Sequence, residues 1–121
     1  MSKKILVVDD DVEMTMMVQE ILSQKDYEVF LAHNGLAAIE KSNHEMPDLI
    51  LLDIRMPILS GFWFCDAFKK RPKSKNIPVV IVSSLSAEED IQKAYQMGAS
   101  AYLKKPFRPE ELITVVEKTI A

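Results

Sequence analysis

The chain is poor in the residues that build several common sites. Cys65 is its only cysteine among 121 residues, which excludes an internal disulfide and any cysteine-built zinc site and leaves a small buried apolar side chain as the expected role. Only Gly35, Gly61 and Gly98 are glycines, and they are scattered, so no glycine-rich loop is present to cradle a phosphate with its backbone. No apolar run reaches membrane-spanning length, and MSKKILVVDDD meets acidic residues soon after its short apolar run, where a secretory leader would continue to small residues. A soluble, cytoplasmic protein is expected. Positive charge is not in excess, since the formal net charge is −3. With its Lys and Arg read as dispersed, the chain is not expected to bind nucleic acid or a membrane directly.

What is present suits one compact domain over residues 1–121, with 48% apolar and 27% charged residues able to close a single core. Short apolar runs alternate with stretches at helical spacing: residues 5–8, 29–32, 49–52, 79–82 and, more weakly, 101–103 read as strands. Runs of that kind predict strands buried on both faces, as parallel sheets require. Met14, Met17, Val18, Ile21 and Leu22 form one helical stripe, Ile91, Ala94 and Tyr95 another, and Leu112, Val116 and Ile120 a third. Two further helices are expected over residues 36–42 and 60–70. Pro47, Pro57, Pro72, Pro78, Pro106 and Pro109 all fall in connections or first helical turns. Right-handed crossovers then predict an α/β doubly wound (βα)5 fold, a five-stranded parallel sheet in the order 2-1-3-4-5.

In such a sheet ligands bind beyond the carboxyl ends of the strands, where the winding reverses. Asp9, Asp10 and Asp11 follow the first run, Asp53 the third, Ser83 the fourth and Lys105 the fifth. Grouped carboxylates repel one another unless a cation sits among them. Lys105 supplies one positive charge, and the oxygen-rich remainder suits a hard divalent ion, magnesium above all, which is held by few carboxylates together with water and phosphate oxygens. A carboxylate so placed is able to act as nucleophile in phosphoryl transfer, with Asp53 at the central strand as the candidate. The bland alternative for Asp53 is a turn cap before Pro57 and Gly61.

VVDDD at 7–11, PDLILLDIRMP at 47–57 with Gly61, PVVIVSS at 78–84 and AYLKKPF at 101–107 together resemble the receiver domain of bacterial two-component response regulators, a flavodoxin-like fold, over nearly the whole chain. That resemblance implies that Asp53 accepts a phosphoryl group from a sensor histidine kinase or phosphotransfer protein. It implies that Asp9, Asp10, Asp53 and the backbone carbonyl of Arg55 hold magnesium, with manganese as a substitute. Ser83, Ser84, Lys105 and Tyr102 are implied as the phosphoryl-binding and switch residues, Asp11 as a helix cap and Lys105-Pro106 as a cis peptide. By the same resemblance Tyr102 enters space vacated by Ser83, and an output protein docks on the fourth helix, fifth strand and fifth helix, roughly residues 87–97 and 101–121. Some receivers dimerise there on phosphorylation. The protein is then a signalling switch and not an enzyme acting on a separate substrate.

Ser83 stands where the family often has Thr, and Ser84 where Ala is common, and neither change removes the chemistry. Arg55 and Leu85 flank the acceptor at variable positions and are expected to hinder the water that hydrolyses an acyl phosphate. A dehalogenase-like phosphatase would use an Asp pair such as Asp9 and Asp11, but Glu13 and the lack of a cap domain oppose it. A flavin carrier would need a phosphate loop, and a degenerate receiver would be expected to have lost the acceptor, the acidic pair or the lysine. Trp63 is expected on the solvent side of a helix whose other face carries Phe64, Cys65 and Phe68, and His33 and His44 are read as surface residues without metal partners.

Overall fold

The computed structural model describes residues 2–55, 61–85 and 87–120. Pro57, the start at residue 60 of the helix expected over 60–70, and residue 121 lie outside them. The elements run β1 (Lys4–Val8), α1 (Val12–Ser23), β2 (Glu28–Ala32), α2 (Gly35–Glu45), β3 (Leu49–Leu52), α3 (Gly61–Lys70), β4 (Val79–Ser83), α4 (Glu88–Gln96), β5 (Ala101–Lys104) and α5 (Pro109–Ile120). The five strands form one parallel sheet in the order β2-β1-β3-β4-β5, as expected.

Local chemistry explains where several helices begin. The Asp11 carboxylate accepts a hydrogen bond from the Met14 amide at 3.1 Å, and the Asn34 side chain accepts one from Ala37 at 2.8 Å, so each satisfies an amide that the first helical turn leaves free. Pro109 opens α5, where a missing N–H costs nothing, and the Glu111 carboxylate reaches back to the Arg108 amide at 2.8 Å. The α2 helix stops at Met46, whose left-handed φ of 50° turns the chain towards β3.

Alternate strand residues feed two cores. Leu6, Val8, Ile50, Leu52, Val79 and Ile81 pack with Ala38, Phe64, Cys65, Phe68 and Ala94 on the α2, α3 and α4 side. Ile5, Val7, Leu49, Leu51, Val80 and Val82 pack with Val18, Leu22, Leu112 and Val116 on the α1 and α5 side. Each large side chain so buried contributes about 1.5–3 kcal/mol relative to exposure, enough to fix a register that a slip of one residue would turn inside out.

Four expectations need correction. Met17 and Tyr95 are exposed, as are Val12 and Met16, so the α1 and α4 stripes are narrower than periodicity suggested. β2 is an edge strand whose Val29, Phe30 and Leu31 are only half-buried, because a strand on the rim has a neighbour on one side alone. His33 is not a surface residue: it is half-buried with Nε2 3.1 Å from Thr15 Oγ1, while His44 is exposed. The basic residues are not dispersed either, since five of the seven residues from Lys69 to Lys75 are Lys or Arg. Trp63 is exposed and Cys65 buried, as read from the helical face.

Candidate functional site

Parallel register brings the strand ends level. Val8 lies opposite Leu52 and Ala32, and Leu52 opposite Ile81, so the residues that follow these strands share one edge of the sheet. The ladder continues one residue further at each place that matters. The Asp9 amide donates to Ala32 O at 3.1 Å, the Asp53 amide to Val8 O at 2.9 Å and the Lys105 amide to Ser83 O at 2.9 Å. Sheet hydrogen bonding therefore holds the backbones of Asp9, Asp53 and Lys105 as firmly as the strands themselves.

Side chains then meet above that edge. Lys105 Nζ lies 2.7 Å from Asp9 Oδ2 and 3.3 Å from Asp53 Oδ2, bridging two carboxylates that are almost fully buried. The remaining oxygens are oriented by backbone: Asp9 Oδ1 accepts from the Asp11 amide and Asp53 Oδ1 from the Arg55 amide, both at 2.9 Å. Asp10 is exposed, yet one of its oxygens lies with one each from Asp9 and Asp53 in a group no more than 4.8 Å across. Ser83 is fully buried, and its Oγ accepts from the Leu85 amide at 3.2 Å. Tyr102 is half-buried against the α2–α4 core, with its hydroxyl donating to the Leu85 carbonyl at 2.7 Å. Ser84 points to solvent and Arg55 is exposed.

The profile of the response regulator receiver domain matches residues 5–117. The chain belongs to that family. Among its relatives, the probable transcriptional regulator ycf29 of Pyropia yezoensis is 35% identical over all of this chain and 54% of its own length. The phosphate regulon transcriptional regulatory protein PhoB of Escherichia coli is 35% identical over 97% of the chain and 51% of its own length. The receiver thus spans about half the length of these two curated relatives. The crystal structure of the Vibrio cholerae chemotaxis protein CheY4 superposes with a TM-score of 0.94 at 31% identity, covering 98% of this chain and 99% of that one. The fold is the CheY-like, flavodoxin-like one, and receiver domains are signalling domains.

Electrostatics in this receiver's pocket are divided unevenly. Burial raises the Asp53 carboxyl above the ordinary carboxylate range, the Arg55 amide opposes that, the Asp9 charge adds to it and Lys105 offsets only part. For Lys105 burial works against the charge, but the hydrogen bond from its ammonium to Asp9 and the charges of Asp53 and Asp9 outweigh it and raise the amine. An ion pair alone would lower Asp53 while raising Lys105. Both go up because burial, the largest influence on Asp53, together with the Asp9 charge outweighs what Lys105 gives back, while for Lys105 two carboxylates together outweigh burial. Burial also raises the Tyr102 phenol; a hydrogen bond with Ser83 opposes this and the Asp90 and Asp53 charges support it, so the hydroxyl stays protonated and donates.

Leu85 is the residue that sequence reasoning placed but did not understand. Its amide holds Ser83 and its carbonyl holds Tyr102, so backbone also links the two side chains. No residue type signals such a role. The cis peptide between Lys105 and Pro106 and the Asp11 cap are both present.

Proposed function

We propose that this receiver is a phosphorylation-activated switch in which Asp53 takes the phosphoryl group of a phosphohistidine on a sensor histidine kinase or phosphotransfer protein. The supporting observation is the bridge of Lys105 across Asp9 and Asp53, beside a third carboxylate, Asp10. Three carboxylates against one ammonium leave the pocket short of positive charge, and oxygen donors at this spacing fit a hard divalent ion such as magnesium, or manganese in its place. Asp9, Asp10, Asp53 and the Arg55 backbone carbonyl would hold it. When bound, the ion supplies positive charge against the phosphoryl oxygens.

This chain's residues account for the rest. An Asp53 carboxylate oxygen attacks phosphorus in line, the phosphorus–nitrogen bond of the phosphohistidine breaks, and the imidazole leaves with its electron pair. Lys105 and the Ser83 hydroxyl contact the transferred group, with Ser84 at the mouth. Lys105 must loosen from Asp9 to do so, and a divalent ion held by Asp9, Asp10 and Asp53 would supply positive charge to Asp9 in its place. Recruitment of the Ser83 hydroxyl to the phosphoryl oxygens disturbs its bond from the Leu85 amide, and Leu85 in turn holds Tyr102. The change reaches the face of α4, β5 and α5, where an output partner or a second copy docks. Against a degenerate receiver, which would be expected to lack the acceptor, the acidic pair or the lysine, stand Asp53, Asp9, Asp10 and Lys105, all present and grouped at one sheet edge.

Incubation with magnesium and acetyl phosphate should add one hydroxylamine-labile phosphate to the protein, mapped by mass spectrometry to Asp53 and absent from Asp53→Asn. A stable label at any other residue, or none in the unmodified protein, overturns the reading.

A further inference from the structure

At the opposite edge of the sheet the molecule carries a second feature that phosphoryl chemistry does not use. A groove of about 470 Å³ opens between the end of α2 and the 71–77 segment, lined by Met46, Phe68, Pro72 and Ile77 on the apolar side and by Arg71 and Lys73 among the polar residues. Its volume falls in the range of ligand-sized pockets. Among the described residues no carboxylate lines it. Met46 stands 48% exposed at its rim, in the left-handed conformation that ends α2.

The segment beside the groove is strongly basic. Lys69, Lys70, Arg71, Lys73 and Lys75 crowd into seven residues of a chain whose overall charge is negative. Asp66 on α3 is engaged with Lys70 at 3.0 Å and Glu45 at the end of α2 with Lys4 at 3.9 Å, while Glu40 is exposed further up α2. Among the described residues no carboxylate pairs with Arg71, Lys73 or Lys75, and all three are exposed.

The segment is also held in shape. Lys69 Nζ donates to the Ile77 carbonyl at 2.6 Å and to Lys75 O at 3.3 Å, and Ser74 Oγ donates to Phe68 O at 2.5 Å. The amides of Ser74 and Lys75 both donate to Arg71 O. A groove braced in this way loses little conformational freedom when it is filled.

We propose that this groove is a docking site for an acidic peptide segment of a partner protein, which seats an apolar side chain against Met46, Phe68 and Ile77 while its carboxylates face Arg71, Lys73 and Lys75. The apolar floor favours a peptide over nucleic acid, whose phosphates would use the charges and leave the floor empty. Since the groove lies at the helix carboxyl ends, away from Asp53, such a partner is able to bind while a kinase occupies the phosphoryl pocket. The site is independent of the phosphorylation reading.

The test uses the intact protein and a fluorescein-labelled peptide of alternating Glu and Leu residues, with two controls: the same peptide with Leu replaced by Ser, and a fluorescein-labelled DNA duplex. The Glu–Leu peptide should bind saturably and shift the amide resonances of residues 42–46 and 68–77. Its affinity should fall about tenfold or more in Arg71→Glu/Lys73→Glu, whose unchanged circular dichroism and melting show that it folds, and about tenfold when Leu becomes Ser. No saturable binding, resonance shifts elsewhere, unchanged affinity in the double variant, or tighter binding of the duplex overturns the proposal.

Discussion

Two partly buried lysines stand at opposite edges of this sheet, and they are perturbed in opposite directions. Lys69, at the edge where the strands begin, is pushed below the ordinary lysine range by burial, which outweighs the opposing influence of Cys65. Its ammonium ends on the carbonyls of Lys75 and Ile77, which do not titrate. The neighbouring polar groups there close in the same manner: the Asp48 carboxylate accepts from the Lys4 amide and the Asp48 amide donates to Lys4 O, both at 2.7 Å. Lys105, where the strands end, is instead raised because its partners are carboxylates that face one another. One edge satisfies its polar groups with backbone and gains stability. The other gathers like charge that only an incoming group resolves, as active sites do at the expense of stability.

Exchanging each lysine for methionine separates the two roles. Lys105→Met should slow labelling by acetyl phosphate about a hundredfold, the scale seen when one charge-stabilising donor is removed from a reacting centre. Lys69→Met should leave that rate within about twofold, yet lower stability by about 1 kcal/mol through its unmade hydrogen bonds. Both are read from one time course of phosphoprotein formation and one urea titration. A labelling defect of similar size in the two variants would erase the distinction between the edges.

A smaller effect concerns how long the label lasts. Arg55 is exposed two residues after Asp53, and Leu85 is half-buried beside Ser83. On the proposed reading, their bulk would exclude water from the acyl phosphate, so Arg55→Asn/Leu85→Glu should shorten the phosphorylated lifetime by about tenfold. Equal decay rates for the two proteins would show that these side chains do not shield the site.

Much of this was legible in the chain itself, for identifiable reasons. Continuous apolar runs such as Leu49 to Leu52 have one stable placement, inside a parallel sheet, and residues after such runs fall at one edge whatever else the chain does. That rule alone brings Asp9, Asp53 and Lys105 together. Met17 and Tyr95 went astray because periodicity reports which side of a helix a residue is on, not how far the neighbouring element extends. His33 found Thr15 across α1 and β2, and Leu85 acts through its backbone; neither contact leaves a mark on residue type. The basic segment at 69–75 was visible in the sequence, but its groove exists only once α2 and α3 are packed side by side.

The most modest expected effect tests whether Asp53 burdens the fold. Its carboxyl is raised above the ordinary value of 3.8, so the folded state binds the proton more tightly than the unfolded chain does. Stability contributed by this group is therefore fully present below that ordinary value and is lost as pH rises through the higher folded one. At neutral pH the ionised side chain is a cost that Asp53→Asn removes without changing shape. The variant should be more stable by about 1 kcal/mol, or about 3–5 °C in melting temperature. The advantage should shrink as the pH falls into the acid range, because the folded protein takes up the Asp53 proton before the unfolded chain does. It should shrink again at neutral pH when magnesium is added, because a cation stabilises the folded protein with the carboxylate more than the one with the amide. Equal melting temperatures from pH 4 to 7 would mean that Lys105 and the Arg55 amide already balance the buried charge, and the two edges would then differ in chemistry but not in stability.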